Sequence, residues 1–523
     1  APTVGADDFR TAKQQGIEAI LVKDETGNAM PLVDKRGRFV SEVTDFAGEF
    51  VKEEYLSEEE KKQERQKQNR DKYLSVDERI AIKLKQENKA FKVEKYEHNY
   101  PHCWRTDKPV LYYPLDSWFI RTTACKERMI ALNKTINWKP ESTGTGRFGN
   151  WLENLVDWNL SRSRYWGIPL PIWRSEDEKE EKCIGSVNEL RLEIEKAIAA
   201  GVMDAKHLEH VDASKADFDL HRPYVDNIVL VSDSGQKMYR ETDLIDVWFD
   251  SGAMPYAQWQ LDYDKLNRGE AMPFKQGFEK SYPADFIAEG VDQTRGWFFT
   301  LHAIAVMLFD SVAFKNVVSN GLVLDKNGNK MSKRLGNAVD PFETINKFGP
   351  DATRWYMISN AQPWDNLKFN VDGIAEVQRK LFGTLYNTYS FFALYANIDG
   401  FIPDDKKTVP LAERSELDRW ILSKLHHLVK EVTAGLEDYE PTFAARQIEE
   451  FVDEHLSNWY VRLSRRRFWR SEMNKDKQSA YETLFECLMV TSQLMSPVAP
   501  FFSDWLYRNL TDCVRNTSPS LYQ

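Results

Sequence analysis

The chain has 523 residues, of which 42% are apolar and 29% charged, with a net charge of −11. That length exceeds what one hydrophobic core can serve, so about three or four domains are expected, in a composition ordinary for a soluble globular enzyme. The acidic balance argues against a protein that coats nucleic acid over its whole surface, while leaving room for a local basic patch.

Cys103, Cys125, Cys183, Cys487 and Cys513 are scattered and odd in number, the pattern of reduced thiols in a cytoplasmic protein. No uninterrupted apolar run is long enough for a membrane span, so none is expected. The opening APTVGADDF has neither a basic n-region nor an apolar h-region, so no signal peptide is expected there. Both ends are expected to be cut points of a longer chain.

In chain order, residues 1–50 alternate short apolar runs with Gly and Asp, as in a small mixed α/β unit. Residues 16–40 predict strand, turn at Glu25-Thr26-Gly27-Asn28, strand, turn and strand. Residues 52–72 interleave acids and bases and predict a solvated helix with i,i+4 pairs. Residues 96–180 are rich in Trp, Pro and Arg, which suits a shaped surface near a site. Residues 185–215 carry a helical period and look like a peripheral insert. From 281 to 358 strand-like and helix-like pieces alternate in β–α–β order, the grammar of a parallel sheet. Beyond about 370 only helices are expected. Leu417, Trp420, Ile421, Leu425, Leu428, Val429, Val432 and Leu436 fall on one face of a long helix that opens an all-α bundle.

The most specific string is Lys330-Met331-Ser332-Lys333-Arg334, held between Gly328 and Gly336 after a strand-like segment. Mobile cations on a short Gly-flanked loop at a sheet's carboxyl edge suit a triphosphate, because charge builds on the phosphates as the reaction proceeds. A solvated basic turn is the other reading of such a string taken alone. The string resembles the signature loop of class I aminoacyl-tRNA synthetases, which usually ends in Ser where Arg334 stands here.

Three longer segments narrow the likeness: GNWLENLVDWNLSRSRYWGIPLPIW (149–173), ETDLIDVWFDSG (241–252) and PADFIAEGVDQTRGWF (283–298). They are similar to the isoleucyl branch of that family, and the resemblance runs from residue 1 to beyond 470. Valyl and leucyl relatives share the architecture but differ at many of these positions.

The resemblance implies an α/β fold, the second half of a class I Rossmann-type catalytic core, with a partial mixed α/β editing domain before it and an all-α helical bundle after it. The implied segments are 1–105 (the remainder of the editing domain), 106–360 (the catalytic half, with an insert at about 175–240), 361–400 (a connection contacting the tRNA stem) and 401–523 (an incomplete anticodon-binding domain). In the family, a His-x-Gly-His nucleotide motif and the first strands of the core lie upstream of the editing insertion. They are not in this chain, which is therefore expected to be inactive alone and to hold only part of an editing pocket.

Carried over by position, the resemblance makes Lys333, supported by Lys330, the stabiliser of the charged transition state, with Met331 and Ser332 also at the nucleotide. Glu289 would contact the aminoacyl-adenylate. Asp292 and Gln293 would bond its ribose, and Gly290 would allow close approach of the nucleotide. Trp248 and Trp297 either wall the amino-acid pocket or fill the core. Arg295 pairs either with phosphate or with a buried acid. Asp8 matches a carboxylate that holds the ammonium of a mischarged amino acid at the editing site. In WYVRLSRRRFWR (459–470), Arg462, Arg465, Arg466, Arg467 and Trp469 would contact tRNA, although such a run is also what a helix burying aromatics looks like.

The implied activity is ATP-dependent attachment of L-isoleucine to its tRNA through an adenylate, with hydrolytic editing of valine. The rivals are valyl or leucyl charging, or a non-catalytic tRNA-binding descendant. ATP with Mg²⁺, tRNA and isoleucine are the implied partners of a cytoplasmic enzyme, expected to be a monomer. Relatives often show CWRC with zinc near His98, His102 and Cys103. Here Thr106 replaces the second cysteine and Cys183 has no CxxC partner, so no zinc is expected in this chain.

Overall fold

Parallel strands can pair only if the chain crosses over between them, and residues 284–320 supply such a crossover. In the computed structural model, which describes residues 6–23, 29–68, 73–103, 105–204, 219–259, 277–332, 335–404 and 407–512, strands Ala284–Gly290 and Phe314–Asn320 pair in parallel. Strand Asn137–Lys139 extends the sheet beside Phe314–Asn320. The crossover is helix Trp297–Phe309, whose residues Phe298 to Val306 are all buried. A helix apolar on every side has to be enclosed, and Trp138, Phe148 and Phe314 surround Phe298. The expected β–α–β order is present.

The chain divides into two units, residues 1–118 and 119–523. In the first, Val22–Lys23 and Ala29–Met30 pair antiparallel as a short hairpin, and the turn expected at 25–28 lies outside the described residues. Sequence periodicity missed the helix Ala6–Gln14 that precedes the hairpin. The charged stretch after residue 52 forms helix Glu58–Lys67, started by a Ser57–Glu60 capping box.

In the second unit, strands Glu181–Cys183, Ile172–Ser175, Lys237–Arg240 and Leu230–Val231 form, in that order, an antiparallel sheet. Helix Val187–Ala199 covers it through Leu190 and Ile194, which share a core with Trp173, Leu230 and Met238. The parallel pair Val323–Leu324 and Leu367–Lys368 then leads into helices.

Helix Glu416–Glu437 runs where its periodicity predicts, but its buried face is Asp418, Ile421, Leu422, Leu425, Leu428, Val432 and Gly435. Trp420 stands at the margin of that face, and Leu436 is exposed. Helix Lys475–Met495 closes the bundle around Tyr460, Tyr481, Leu484 and Leu488. The elbow after Glu437 rests on the parallel sheet. Lys139 Nζ donates to Asp438 at 2.8 Å and to Glu440 at 3.2 Å, and Phe286 stacks on Tyr439 with centroids 4.8 Å apart.

Candidate active site at the carboxyl edge of the parallel sheet

Glu289 pairs with Ser319 and Gly290 with Asn320, so the two long strands end level with each other. The first continues into the tight turn Val291–Arg295 and then into the buried helix. The second continues through Gly321 toward the lysine string. A Cβ on Gly321 would lie 2.3 Å from the Asp365 carbonyl oxygen, so only glycine fits where the two backbones meet. Both strings singled out in the sequence therefore leave the same edge of one sheet.

In the turn, Glu289 is half-buried and Asp292 exposed. Gln293 Nε2 donates to Asp292 Oδ2 at 3.0 Å, and its Oε1 accepts from the Trp297 N–H at 3.0 Å, tying the turn to the start of the helix. At Gly290 a Cβ would meet the Asp292 carboxylate, with Oδ1 at 2.6 Å, so a side chain there would push that carboxylate aside. Gly296 packs in the same way against Gln293 Oε1 and, at 3.3 Å, against the Trp248 ring. Thr294 is buried and accepts from Arg147 Nε at 2.9 Å. The Arg295 guanidinium lies over the Trp151 ring, 5.4 Å from the centroid.

Trp248 and Trp297 come together around Gly296 but differ in exposure. Trp248 is 40% exposed, which takes it out of the core. Trp297 packs on the sheet core, and its indole N–H donates to the Ser251 carbonyl at 2.9 Å. Sequence reasoning missed what holds Trp248 in place. Asp246, 4% exposed, caps helix Val247–Gly252 and accepts from Trp158 Nε1 at 3.0 Å and Arg162 at 2.8 Å. An Asp directly before a short helical run was the available signal. Burial, then the charge of Asp246, pushes the neighbouring Asp250 carboxyl upward.

The lysine string forms the far arm of a hairpin that begins at Val323–Leu324, with Lys330 bridging back to Leu324. Gly328, at φ 89°, makes the turn. Lys330 is exposed. The Met331 side chain tucks half-buried against the bundle core and lines an apolar cavity of about 420 Å³ with Val323, Val339, Ile345 and Met357. A thioether chain gains more by leaving water than by facing phosphates. The Ser332 N–H donates to Asn337 Oδ1 at 2.9 Å. Lys333 and Arg334 lie outside the described residues.

Elsewhere, Asp8 sits exposed on helix Ala6–Gln14. On helix Arg462–Trp469, Arg462, Arg465, Arg466 and Trp469 are exposed. Arg467 departs from the expected RNA-facing set. It turns inward to Asp418 and Asp476, and only 12% of its side chain is exposed. Two carboxylates outbid water for its guanidinium because the helix aims this arginine, alone of the three consecutive ones, at the bundle core. His98 and His102 bond the backbone carbonyls of Asn99 and Tyr100. Hydrogen bonds from the Thr106 side chain and from the backbone of Thr106 and Arg105 lower the Cys103 thiol to about 7.

The family described as "tRNA synthetases class I (I, L, M and V)" matches residues 35–370, and "Anticodon-binding domain of tRNA ligase" matches 418–521. The sequence is 69% identical over 510 residues to an isoleucine–tRNA ligase of Cytophaga hutchinsonii, covering 98% of this chain and 44% of that protein. It is 59% identical over 533 residues to one of Porphyromonas gingivalis, covering 98% and 45%. The chain thus spans less than half the length of these curated relatives. A crystal structure of Mycobacterium tuberculosis methionyl-tRNA synthetase bound by methionyl-adenylate shares the fold, with a TM-score of 0.53 at 15% identity over 81% of this chain and 70% of that one.

Proposed function

This chain belongs to the class I tRNA synthetases of the isoleucine, leucine, methionine and valine group, and from that premise we propose that it serves an enzyme attaching L-isoleucine to its tRNA at the expense of ATP. The isoleucine carboxylate attacks the α-phosphorus of ATP, and pyrophosphate leaves. A hydroxyl of the tRNA's terminal ribose then attacks the acyl carbon, and AMP departs. The observation that carries this reading is the common edge, with Gly290 level with Asn320, so the acidic turn and the segment leading to the lysine hairpin leave the sheet side by side.

With nucleotide bound, Lys330 and Lys333 would neutralise charge gathering on the phosphates. Glu289 contacts the adenylate, Asp292 and Gln293 hold its ribose, and Trp248 offers an apolar wall to the isoleucine side chain. Among the described residues no group of three His, Cys, Asp or Glu stands ready to hold a metal ion. Mg²⁺ would be carried on the nucleotide's own phosphates and would neutralise part of their charge. Exposed Arg462, Arg465, Arg466 and Trp469 offer tRNA a cationic and stacking face. Asp8 would serve the hydrolytic removal of valine, in a pocket completed by residues beyond this chain. No helix among the described residues is long and apolar enough to cross a membrane.

The test is ATP–pyrophosphate exchange by the full-length protein with isoleucine, valine and leucine in turn. Isoleucine should be fastest, and Lys333→Ala should lower the rate by about 10²–10³-fold. A faster rate with valine or leucine, or a loss below about tenfold for Lys333→Ala, sinks the assignment.

A further inference from the structure

We propose that Asn337 is the positioning residue that presets the lysine loop, acting through the backbone on either side of Met331. This rests on reading that loop as the phosphate grip. Gly336, at φ 66°, turns the chain so that the Asn337 side chain folds back into the hairpin. Its Oδ1 accepts from the Ser332 N–H at 2.9 Å, while its Nδ2 donates to the Lys330 carbonyl at 3.2 Å and to Asp325 Oδ2 at 3.0 Å. One side chain thereby does for Lys330-Met331-Ser332 what a partner strand does for an edge strand.

The orientation of that amide follows from its neighbour. Asp325 Oδ1 accepts from the N–H groups of Asn327 at 2.9 Å and Asn329 at 2.8 Å. The Asn329 N–H first, then the Asn337 side chain, hold the carboxyl below its ordinary range, so it stays ionised and can only accept. Asn337 must therefore aim its NH₂ at Asp325, which leaves its oxygen for Ser332. A carboxylate at 337 has no donor for Lys330 or Asp325, and alanine has neither group. Met331, seated against the bundle core, fixes the underside of the same three residues. Lys330 is thus carried on a turn whose backbone is already tied down on both sides of Met331, which lowers the ordering left to do when nucleotide binds.

The experiment measures isoleucine-dependent ATP–pyrophosphate exchange by the full-length enzyme carrying Asn337→Asp, Asn337→Ala, or Asn337→Asp together with Asp325→Asn. Each single variant should lose about 100-fold in kcat while KM for isoleucine moves less than about threefold. In the double variant an amide at 325 again donates to a carboxylate at 337, which still accepts from Ser332, and about tenfold or more of kcat should return. The rescue is what separates positioning from general damage. A single variant within about threefold of the wild type, a KM for isoleucine that rises as kcat falls, or a double variant no better than Asn337→Asp overturns the role of Asn337. A wild-type enzyme without isoleucine-dependent exchange overturns instead the reading beneath it.

Discussion

Arg467 gives both arms of its guanidinium to Asp418, at 2.7 Å each, across 49 residues of sequence. Tyr460 and Ser479 also donate to that carboxylate, each at 2.7 Å. Burial alone would raise the Asp418 carboxyl, yet these bonds hold it below its ordinary value. Removing one partner of a buried pair strands the other, so Arg467→Ala should cost about 3–5 kcal/mol of bundle stability in urea unfolding. Arg466→Ala, at an exposed position, should cost less than about 0.5 kcal/mol and instead weaken tRNA binding in a salt-dependent way. Equal destabilisation by the two substitutions would contradict this division of labour.

Burial pushes the His302 imidazole down to about 4 from an ordinary 6.5, against a smaller upward pull from its bond to Met129. Its Nε2–H donates to the Met129 carbonyl at 2.9 Å, so the folded ring is neutral. Between those two values the unfolded chain binds the extra proton and the folded one does not. Stability therefore falls as pH drops from 6.5 toward 4, by about 3 kcal/mol for this residue. His302→Gln keeps a donor for Met129 and should flatten that part of the profile, as read from urea midpoints at a series of pH values.

Gly321→Ala sets a methyl against a backbone oxygen that has no room to rotate away. A loss of about 1–3 kcal/mol is expected, with displacement of the hairpin that follows. Thermal unfolding reads the first effect and isoleucine-dependent exchange the second. An alanine variant unchanged in both would mean that the junction yields freely.

Cys103 should alkylate with a midpoint near the value of about 7 set by Thr106, ahead of Cys183, which burial shifts upward. Peptide mapping after iodoacetamide across a pH series gives both midpoints, and Thr106→Val should move that of Cys103 upward. Equal labelling of the two at neutral pH would contradict the hydrogen-bond account.

The β–α–β unit was legible because a largely apolar helix between two strand-like segments admits few other folds. The lysine string was legible too, and so was the acidic turn. Asp418 was not: a pattern of apolar spacings treats an aspartate as solvent-facing, while this one lies at the centre of the buried face. Nor does sequence separate Arg466 from Arg467. Only helical phase and the distant Asp418 do that. Asn337 escaped for a related reason, since Gly-Asn after a basic loop reads as an ordinary turn until its side chain is seen folded back on Lys330.

Helix Glu416–Glu437, at 22 residues, is about 33 Å long. Its far end carries Trp420, whose ring lies 6.2 Å from that of Trp459, just ahead of the exposed arginines. Its near end is pinned through Lys139 and Tyr439 to the sheet. One continuous helix thus joins the aromatic pair Trp420–Trp459 to the sheet, meeting it at Lys139 on one strand and at Phe286 on the next, three residues before Glu289.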